Sequence, residues 1–324
     1  MEELTRVLGI DIGGTKIAVC VADNKGNVLA SDRIQGATQR PYAEVLPELL
    51  ALCKSLVAKL NLTLNDIKCC GICAPGPLDM VNGRIMKSPN MIWDDVPIVA
   101  DVKNGLGIKT VMENDANAGV LAELFFGSAR GLKNVIYLTM STGVGGGIVA
   151  DGKLLTGTTG IAGELGHIVL DTHGPLCGCG QLGCLEAYCG GKNVAIRLQE
   201  KLRNHPGHAM FNLPGVDGKL ENLNFQAVRE GAKAGIPLAI EMWNEICERL
   251  AQGIGIIMVT FNPEMIILGT AAYYAGDFML KPVLAHLPRF AWKDFMKPCK
   301  VIITELGPKV GELAGASAAL NAIN

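Results

Sequence analysis

Short apolar runs separated by turn residues make up the first part of the chain. Residues 6–11, 17–21 and 27–34 are three such runs, and the turns between them are rich in glycine, asparagine and aspartate. Runs of this length with such connections are typical of β-strands. Because the connections are so short, the three strands are predicted to pair as an antiparallel meander.

Longer segments repeat apolar residues at helical spacing. In residues 41–60 the repeat consists of Val45, Leu49, Leu52, Leu56 and Leu60, which would share one face of a helix. Further helices are predicted over residues 118–126, 187–202, 225–234, 237–260 and 310–322, and further strands over residues 67–74, 110–113, 135–140, 148–150, 265–268 and 301–304. The mixture of strands and helices indicates an α/β protein.

Residues 78–99 are predicted to form a loop, which contains Ser88, Pro89, Asn90 and Trp93. Polar residues and a tryptophan in a long loop suit sugar binding. A surface loop with a packed tryptophan fits the same residues equally well. The pattern leaves both interpretations open.

The composition excludes several classes of protein. Of the 324 residues, 49% are hydrophobic and 19% are charged, and the formal net charge is -2. A chain of this length has room for about two domains. Its interleaved acids and bases provide no basic surface for nucleic acid or for a membrane. The most apolar window, residues 254–261, is far shorter than the roughly 18 residues of a membrane span. The first residues do not resemble a signal peptide, so a cytoplasmic protein is predicted.

Two glycine-rich turns follow apolar strands. The first contains Gly13, Gly14 and Thr15 after a strand that ends in Asp11, and the second runs from Ser141 to Gly147. Adjacent glycines let the backbone approach a ligand, and consecutive N–H groups can form an anion-binding concavity. An ordinary hairpin without function remains the alternative for the first turn. The repeated design suggests duplicated domains that face each other across a nucleotide, and neither turn fits a P-loop or a Rossmann unit. Asp11 is positioned to hold a hydrated magnesium ion.

Asp115 lies where a predicted strand meets a predicted helix. Most aspartates at such a position are helix caps. A carboxylate held rigidly at this point can also act as a general base. The residues of this segment alone do not decide between the two roles.

A compact set of metal-binding residues lies in the middle of the chain. His167, Cys177, Cys179 and Cys184 have the spacing H-x9-C-x-C-x4-C, with Glu164 and Glu186 at the two ends. One imidazole and three thiolates form a closed tetrahedral zinc site, with no open position for a reacting water. A chance cluster or a redox pair is the alternative. The other cysteines of the 11 lie mostly in apolar runs, as buried residues of a protein in a reducing compartment do.

Together these motifs resemble the ROK family of sugar kinases and repressors. The resemblance rests on DIGGTK (residues 11–16), ENDANA (113–118), STGVGGG (141–147), GELGH (163–167) and CGCGQLGCLE (177–186), in the family's order and spacing. It covers the whole chain, and GELGH with CxCxxxxC is highly specific. It implies an α/β fold of two actin-like, ribonuclease-H-like domains with ATP and sugar in a central cleft. The expected domains are residues 1–117 with 311–324, and residues 118–310, which carry the zinc-binding segment.

The resemblance also implies roles for individual residues. Asp115 matches the family's general base, which takes the proton of the sugar's primary hydroxyl. The implied sugar-binding residues are Gly76, Asn90, Asn114, Asp115, Glu164, His167 and Glu186. The implied nucleotide-binding residues are Asp11, Gly13, Gly14, Thr15, Lys16, Thr142, Gly143, Gly145, Gly146 and Gly269. The implied zinc ligands are His167, Cys177, Cys179 and Cys184. His167 would use one ring nitrogen for zinc and direct the other toward the sugar.

The activity implied by the resemblance is ATP-dependent phosphorylation of a hexose at its 6-hydroxyl, with glucose as the expected acceptor. ATP would be the co-substrate with Mg²⁺, and zinc would be structural. An N-acetylmannosamine or N-acetylglucosamine kinase is the alternative enzyme, and a sugar-sensing regulator without catalysis is a further alternative. A repressor of this family would carry a DNA-binding segment before Asp11, which this chain reaches almost at once, so no nucleic-acid partner is expected. Family members are commonly homodimers or homotetramers.

One segment departs from the family pattern. Many members carry two or three glycines next to the adenine, where this chain has Gly269, Thr270, Ala271 and Ala272. The additional side chains are expected to tilt or weaken adenine binding. The resemblance therefore supports sugar kinase activity more firmly than a strict preference for ATP.

Overall fold

The computed structural model describes residues 4–36, 40–87 and 91–323. The chain forms two compact units, the first comprising Met1–Leu132 with Glu305–Asn324 and the second Lys133–Thr304. Each unit is built on a five-stranded sheet. None of the helices in the described ranges is long and apolar enough to cross a membrane.

The first unit begins with the predicted antiparallel meander. Its strands and helices are β1 (Arg6–Ile12), β2 (Lys16–Asp23), β3 (Val28–Gln35), α1 (Tyr42–Lys59), β4 (Cys69–Ala74), β5 (Leu78–Asp79), β6 (Arg84–Ile85), α2 (Ile98–Leu106), β7 (Thr110–Asn114) and α3 (Asp115–Phe126). The sheet order is β3-β2-β1-β4-β7, in which β1, β4 and β7 are parallel. Parallel strands end at the same edge of a sheet. Asp11 therefore pairs with Cys73, and Ala74 with Asn114, along one edge.

The predicted loop over residues 78–99 contains a short hairpin of β5 and β6. Trp93 is only 2% exposed. Its Nε1 donates a hydrogen bond to the Arg40 carbonyl at 2.9 Å, and its ring meets that of Tyr42 edge-on. The interpretation as a packed tryptophan is thus confirmed. Ser88, Pro89 and Asn90 lie outside the described residues.

Helix α2 follows this loop and is absent from the elements predicted by the sequence pattern. It has nine residues, and its N-cap, Pro97, makes no side-chain hydrogen bond to the helix. A short helix without a polar cap offers little signal in the sequence. Its buried residues Ile98, Val102 and Leu106 pack in the core of the first unit.

The second unit repeats the sheet design of the first. Its elements are β8 (Val135–Met140), β9 (Val144–Ala150), β10 (Lys153–Leu154), α4 (Leu185–Cys189), α5 (Gly191–Leu202), α6 (Phe225–Lys233), α7 (Pro237–Phe261), β11 (Met265–Leu268), α8 (Ala271–Ala275), α9 (Asp277–His286), α10 (Lys293–Met296) and β12 (Lys300–Ile303). The strand order β10-β9-β8-β11-β12 places an antiparallel meander beside parallel strands, as in the first unit. The duplication that the two glycine turns suggested is present in the sheets.

Two predicted elements of the second unit are corrected, and three short helices are added. The strand expected at residues 148–150 already begins at Val144, because residues 144–149 pair with β8 in an unbroken antiparallel ladder. The helix expected over residues 187–202 is two helices, since the chain is extended at Gly190. Helices α8, α9 and α10 were not predicted, and all three are short.

The closing helix α11 (Lys309–Asn321) packs on β1, β4 and α3 of the first unit, as the sequence predicted for this helix. Glycines make the approach possible, since a Cβ added at Gly71 would lie 2.0 Å from the Gly315 carbonyl oxygen. Helix α3 also contacts α11. The expected boundary between residues 117 and 118 falls inside α3, and the first unit continues to Leu132 because this helix packs as one piece.

Candidate active site

Asn114 ends β7 and Asp115 begins α3, so both lie at the edge where the parallel strands of the first unit end. Asn114 Oδ1 accepts a hydrogen bond from the backbone N–H of Asn117 at 2.8 Å. Asn114 is therefore the N-cap of the helix, a role that asparagine fills well. Asp115 has no capping role, and it is exposed to solvent. Its carboxylate is available for chemistry.

Two buried polar residues stabilise the junction between β7 and α3. Glu113 is 8% exposed, and its Oε1 accepts hydrogen bonds from the Asn114 N–H and from Asn117 Nδ2, each at 2.9 Å. Burial raises the pKa of Glu113, and these two hydrogen bonds act against the rise. Neither Glu113 nor Asn117 was singled out from the sequence. A signal was available in the sequence: Glu113 and Asn117 are two polar residues on either side of Asp115, within an otherwise apolar strand and helix.

Asp11 lies among other charged groups of the first unit. Burial raises its pKa to about 6, Lys16 lowers it, and the negative charges of Asp115 and Glu312 raise it further. Desolvation also raises the pKa of Asp115, while the backbone N–H groups of Asp115 and Ala116 lower it. Glu312 and its neighbour Gly311 come from the first turn of α11, and a Cβ at Gly311 would lie 3.0 Å from Asp11 Oδ2. Their sequence position gave no sign of this proximity.

The first glycine turn joins β1 to β2. Gly13 N–H donates to the Lys16 carbonyl at 3.0 Å, and Gly36 N–H donates to the Thr15 carbonyl at the same distance. The N–H groups of Gly14 and Thr15 donate to no other residue in the described ranges. Adjacent unused N–H groups in a turn suit an anion.

The second turn, Ser141 to Gly143, joins β8 to β9. Its carbonyl groups accept hydrogen bonds from the start of α5, Ser141 from Gly191 N–H and Thr142 from Lys192 N–H, each at 2.9 Å. Within the described part of the chain, the N–H groups of Thr142 and Gly143 have no acceptor.

The later glycines of this motif lie in a strand. Gly145, Gly146 and Gly147 belong to β9 and pair with β8. A Cβ at Gly146 would lie 2.5 Å from Leu165 Cδ1, so packing explains the lack of a side chain there. Of the glycines predicted to bind nucleotide in this motif, Gly143 is the one in the turn.

A cavity of about 700 Å³ opens beside this turn in the second unit. Its volume is in the range of ligand-binding pockets. It is lined by Met140, Ser141, Thr142, Gly191, Lys192, Asn224, Phe225, Gln226, Arg229, Thr270, Ala271 and Tyr274. Lys192, Arg229 and Tyr274 were not singled out from the sequence, because they come from three helices far apart along the chain.

The segment that departs from the family pattern forms one wall of this cavity. Gly269 packs under Tyr137, since a Cβ there would lie 1.9 Å from the Tyr137 hydroxyl oxygen. Thr270 has a φ of 51°, which is unusual for a β-branched residue. Its Oγ1 accepts a hydrogen bond from Met140 N–H at 2.6 Å and donates to the Met140 carbonyl. The hydroxyl is thus held against β8, while Ala271 and Tyr274 line the cavity.

The four predicted zinc ligands lie together. The ligand atoms of His167, Cys177, Cys179 and Cys184 are all within 4.8 Å of one another. Cys177 Sγ is 3.6 Å from His167 Nδ1, and Cys179 Sγ is 3.7 Å from Cys184 Sγ. A tetrahedral zinc ion with bonds of about 2.0–2.3 Å separates its ligands by about 3.3–3.8 Å, so this set fits zinc. All 11 cysteines are free thiols, and the two sulfurs at 3.7 Å are not bonded.

The acidic residues at the two ends of this segment have different surroundings. Glu164 Oε2 lies 3.9 Å from His167 Nε2, the ring nitrogen that faces away from the cysteines, and its side chain is 61% exposed. Glu186 is half-buried, its Oε2 accepts a hydrogen bond from Val144 N–H at 2.9 Å, and its Oε1 lies 3.6 Å from Cys177 Sγ.

The predicted site residues fall into two groups, one in each unit. In the first unit, the ends of the parallel strands bring together Asp11, Asn114 and Asp115, and Gly76 follows two residues after β4. Asn90 lies outside the described residues. In the second unit, the four metal ligands lie together, Glu164 lies beside His167, and Glu186 contacts Val144 next to the β8–β9 turn.

Comparison with known proteins identifies the family. The model of the ROK family matches residues 7–322 of the chain. The chain belongs to the ROK family. It is 31% identical to a glucokinase of Thermotoga maritima over 317 residues, which cover 96% of each protein. Among solved structures, a ROK hexokinase from Thermus thermophilus has a TM-score of 0.83 at 29% identity, covering 98% of this chain and 99% of that one.

A second ROK structure carries ligands. It is a glucokinase from Streptomyces griseus in complex with glucose and AMPPNP. It has a TM-score of 0.75 and 30% identity to this protein, and covers 98% of this chain and 99% of the other. The two sheets described above are those of the actin-like fold of ROK sugar kinases.

Proposed function

We propose that this ROK protein is an ATP-dependent hexose kinase that phosphorylates glucose at its 6-hydroxyl. The observation that carries the proposal is the exposed carboxylate of Asp115 at the start of α3, which does not serve as the helix cap. Hydrogen bonds from Asn114 N–H and Asn117 Nδ2 to Glu113 hold the backbone around it. The similarity to glucokinases over nearly the full length of the chain supports glucose as the acceptor.

Asp115 acts as the general base. It accepts the proton of the 6-hydroxyl as that oxygen attacks the γ-phosphorus of ATP, and the bond to the bridging oxygen of ADP breaks. Phosphoryl transfer asks the protein mainly for positioning and for neutralisation of charge. A raised pKa brings a carboxylate closer to the working pH and makes it a better proton acceptor, in agreement with the direction of the shift at Asp115.

Nucleotide-binding groups are assigned in each unit. In the first unit, Gly14 and Thr15 offer unused backbone N–H groups to phosphate oxygens, and Lys16 offers its ammonium group. Gly13 shapes the turn through its hydrogen bond to the Lys16 carbonyl, and Asp11 would hold hydrated Mg²⁺. In the second unit, Thr142 and Gly143 offer unused N–H groups, and the adjacent cavity accepts the base. Magnesium would offset the charge that develops on the phosphoryl group.

Hexose recognition is assigned to groups that pair with hydroxyls. The first unit supplies Asn114 and Asp115 together with Gly76 and Asn90, and the second supplies Glu164, His167 and Glu186. Binding of zinc by His167 Nδ1 and the three cysteines leaves His167 Nε2 free for the sugar side. A zinc ion held by these four residues would be structural, because a set of four protein ligands leaves no open position for a reacting water. A homodimer or homotetramer is proposed as the assembly, and light scattering would measure its mass.

The test is an ATP-coupled assay with glucose, mannose, fructose, N-acetylglucosamine and N-acetylmannosamine. We expect phosphorylation with the highest kcat/KM for glucose, with the product identified as the 6-phosphate by NMR. The variant Asp115→Asn serves as the control for a contaminating kinase. Highest activity with an N-acetylhexosamine would replace the proposed acceptor, and no phosphorylation of any of these sugars would overturn the proposal.

A further inference from the structure

Glu186 has a contact that its assigned role in sugar binding does not require. Its Oε2 accepts a hydrogen bond at 2.9 Å from the N–H of Val144, the first residue after the turn Ser141 to Gly143. A hydrogen bond between a carboxylate and a backbone N–H is stronger than a neutral one. The zinc-binding segment is thus joined directly to the turn that is assigned to phosphate.

The fit between the two segments is tight. A Cβ at Gly143 would lie 2.3 Å from Glu186 Oε2, and one at Gly166 would lie 1.9 Å from the Val144 carbonyl oxygen. Glycine at both positions lets the metal segment lie directly against the turn. A larger residue at either position would force the turn and the metal segment apart.

Further backbone hydrogen bonds fix the turn Ser141 to Gly143. Ser141 N–H donates to the Gly143 carbonyl, and the carbonyls of Ser141 and Thr142 accept from the start of α5. Of the N–H groups from Ser141 to Val144, those of Thr142 and Gly143 have no acceptor in the described ranges. The contacts that fix the turn thus leave unused the two groups that phosphate needs.

We propose that Glu186 is a positioning residue for the nucleotide, which fixes the β8–β9 turn to the zinc-binding segment so that the N–H groups of Thr142 and Gly143 are preorganised for phosphate. The inference rests on the proposed kinase function and adds a second role for Glu186 at the same site. Preorganised donors bind an anion more tightly because they lose less conformational freedom on binding. Through this contact, the segment that carries the zinc ligands also determines nucleotide affinity.

The experiment measures binding of AMPPNP with Mg²⁺ to the zinc-loaded protein by calorimetry, in the absence of sugar. Glu186→Ala removes the acceptor for Val144 and is expected to weaken nucleotide binding about tenfold. Glu186→Gln keeps the length and an acceptor oxygen, and is expected to stay within about threefold of wild type. The matched control is Glu264→Gln in the same unit, a carboxylate that accepts hydrogen bonds from the backbone N–H groups of Lys133 and Asn134. Glu264 is assigned to neither ligand, so this variant is expected to leave nucleotide affinity unchanged.

Metal content, measured on every variant, separates positioning from loss of the fold. If Glu186→Ala loses zinc, Glu186→Asp takes its place, because aspartate keeps the charge but is about 1.5 Å too short to reach Val144. Zinc-loaded Ala and Asp variants that both bind nucleotide as tightly as wild type would overturn the inference and leave Glu186 as a sugar contact alone. Wild-type protein that binds the nucleotide but phosphorylates no hexose would instead overturn the proposed function.

Discussion

Asn114 Oδ1 accepts a hydrogen bond from the backbone N–H of Asn117 at 2.8 Å, and this contact caps helix α3. The adjacent Asp115 would otherwise be the natural cap, since aspartate and asparagine are equally good in that role. Because Asn114 takes it, the carboxylate of Asp115 does not cap the helix and stays exposed to solvent.

Replacing Asp115 by Asn is expected to lower kcat by about 10²–10⁴-fold, the usual contribution of a general base. The amide has nearly the same shape, so hexose binding measured by calorimetry should remain. Circular dichroism and thermal melting serve as controls for the fold. Near-normal turnover of a correctly folded variant would exclude Asp115 as the base.

Replacing Asn114 by Ala is expected to lower the free energy of unfolding by about 1 kcal/mol, because the N-cap of α3 is lost. Asn114→Ser is the matched control, since serine caps helices well but lacks the amide. Urea denaturation should show near wild-type stability for Ser, while both variants raise the KM for hexose. Equal stability of Asn114→Ala and wild type would contradict the capping role.

Glu113 predicts a pH dependence of stability. Burial raises its pKa above the usual 4.5, so the folded protein binds this proton more tightly than the unfolded chain does. The contribution of Glu113 to stability therefore falls as the pH rises through the usual pKa and then the raised one. Glu113→Gln cannot ionise and keeps an acceptor for Asn114 and Asn117. Its stability relative to wild type should increase from pH 4 to pH 8 in urea titrations, and the opposite trend would refute this account.

Loss of zinc is expected to weaken hexose binding and to destabilise the protein together, because metal binding is coupled to folding of the segment that carries Glu164 and Glu186. Cys179→Ser tests this at an exposed ligand, and Cys299→Ala is the control at a cysteine outside the cluster. Metal content, thermal melting and hexose affinity are measured on both. Unchanged hexose affinity in the metal-free protein would disprove the structural role of zinc.

Local patterns of the sequence were sufficient for much of this molecule. Strands such as β1 and β4 and helices such as α1 and α7 appear within a few residues of their predicted bounds. Continuous apolar runs mark strands that are buried on both faces, and helical spacing of apolar residues reflects burial of one helix face. The zinc ligands were predictable because all of them lie in one short stretch of the chain, whose glycines allow tight turns. Helix α2 is short and lacks a polar cap, and it was missed although Ile98, Val102 and Leu106 repeat at helical spacing.

The chemistry around Asp115 depends on long-range packing. Parallel pairing of β1, β4 and β7 sets Asp11 opposite Cys73, and Cys73 opposite Glu113. The first turn of α11 then reaches Asp11 because the helix lies against Gly71 and Gly9. Register and close packing of this kind are decided by the summed burial of whole elements, which no short stretch of sequence encodes. Local periodicity thus specified the elements and the metal ligands, whereas strand register and helix packing determined which charged groups surround the base.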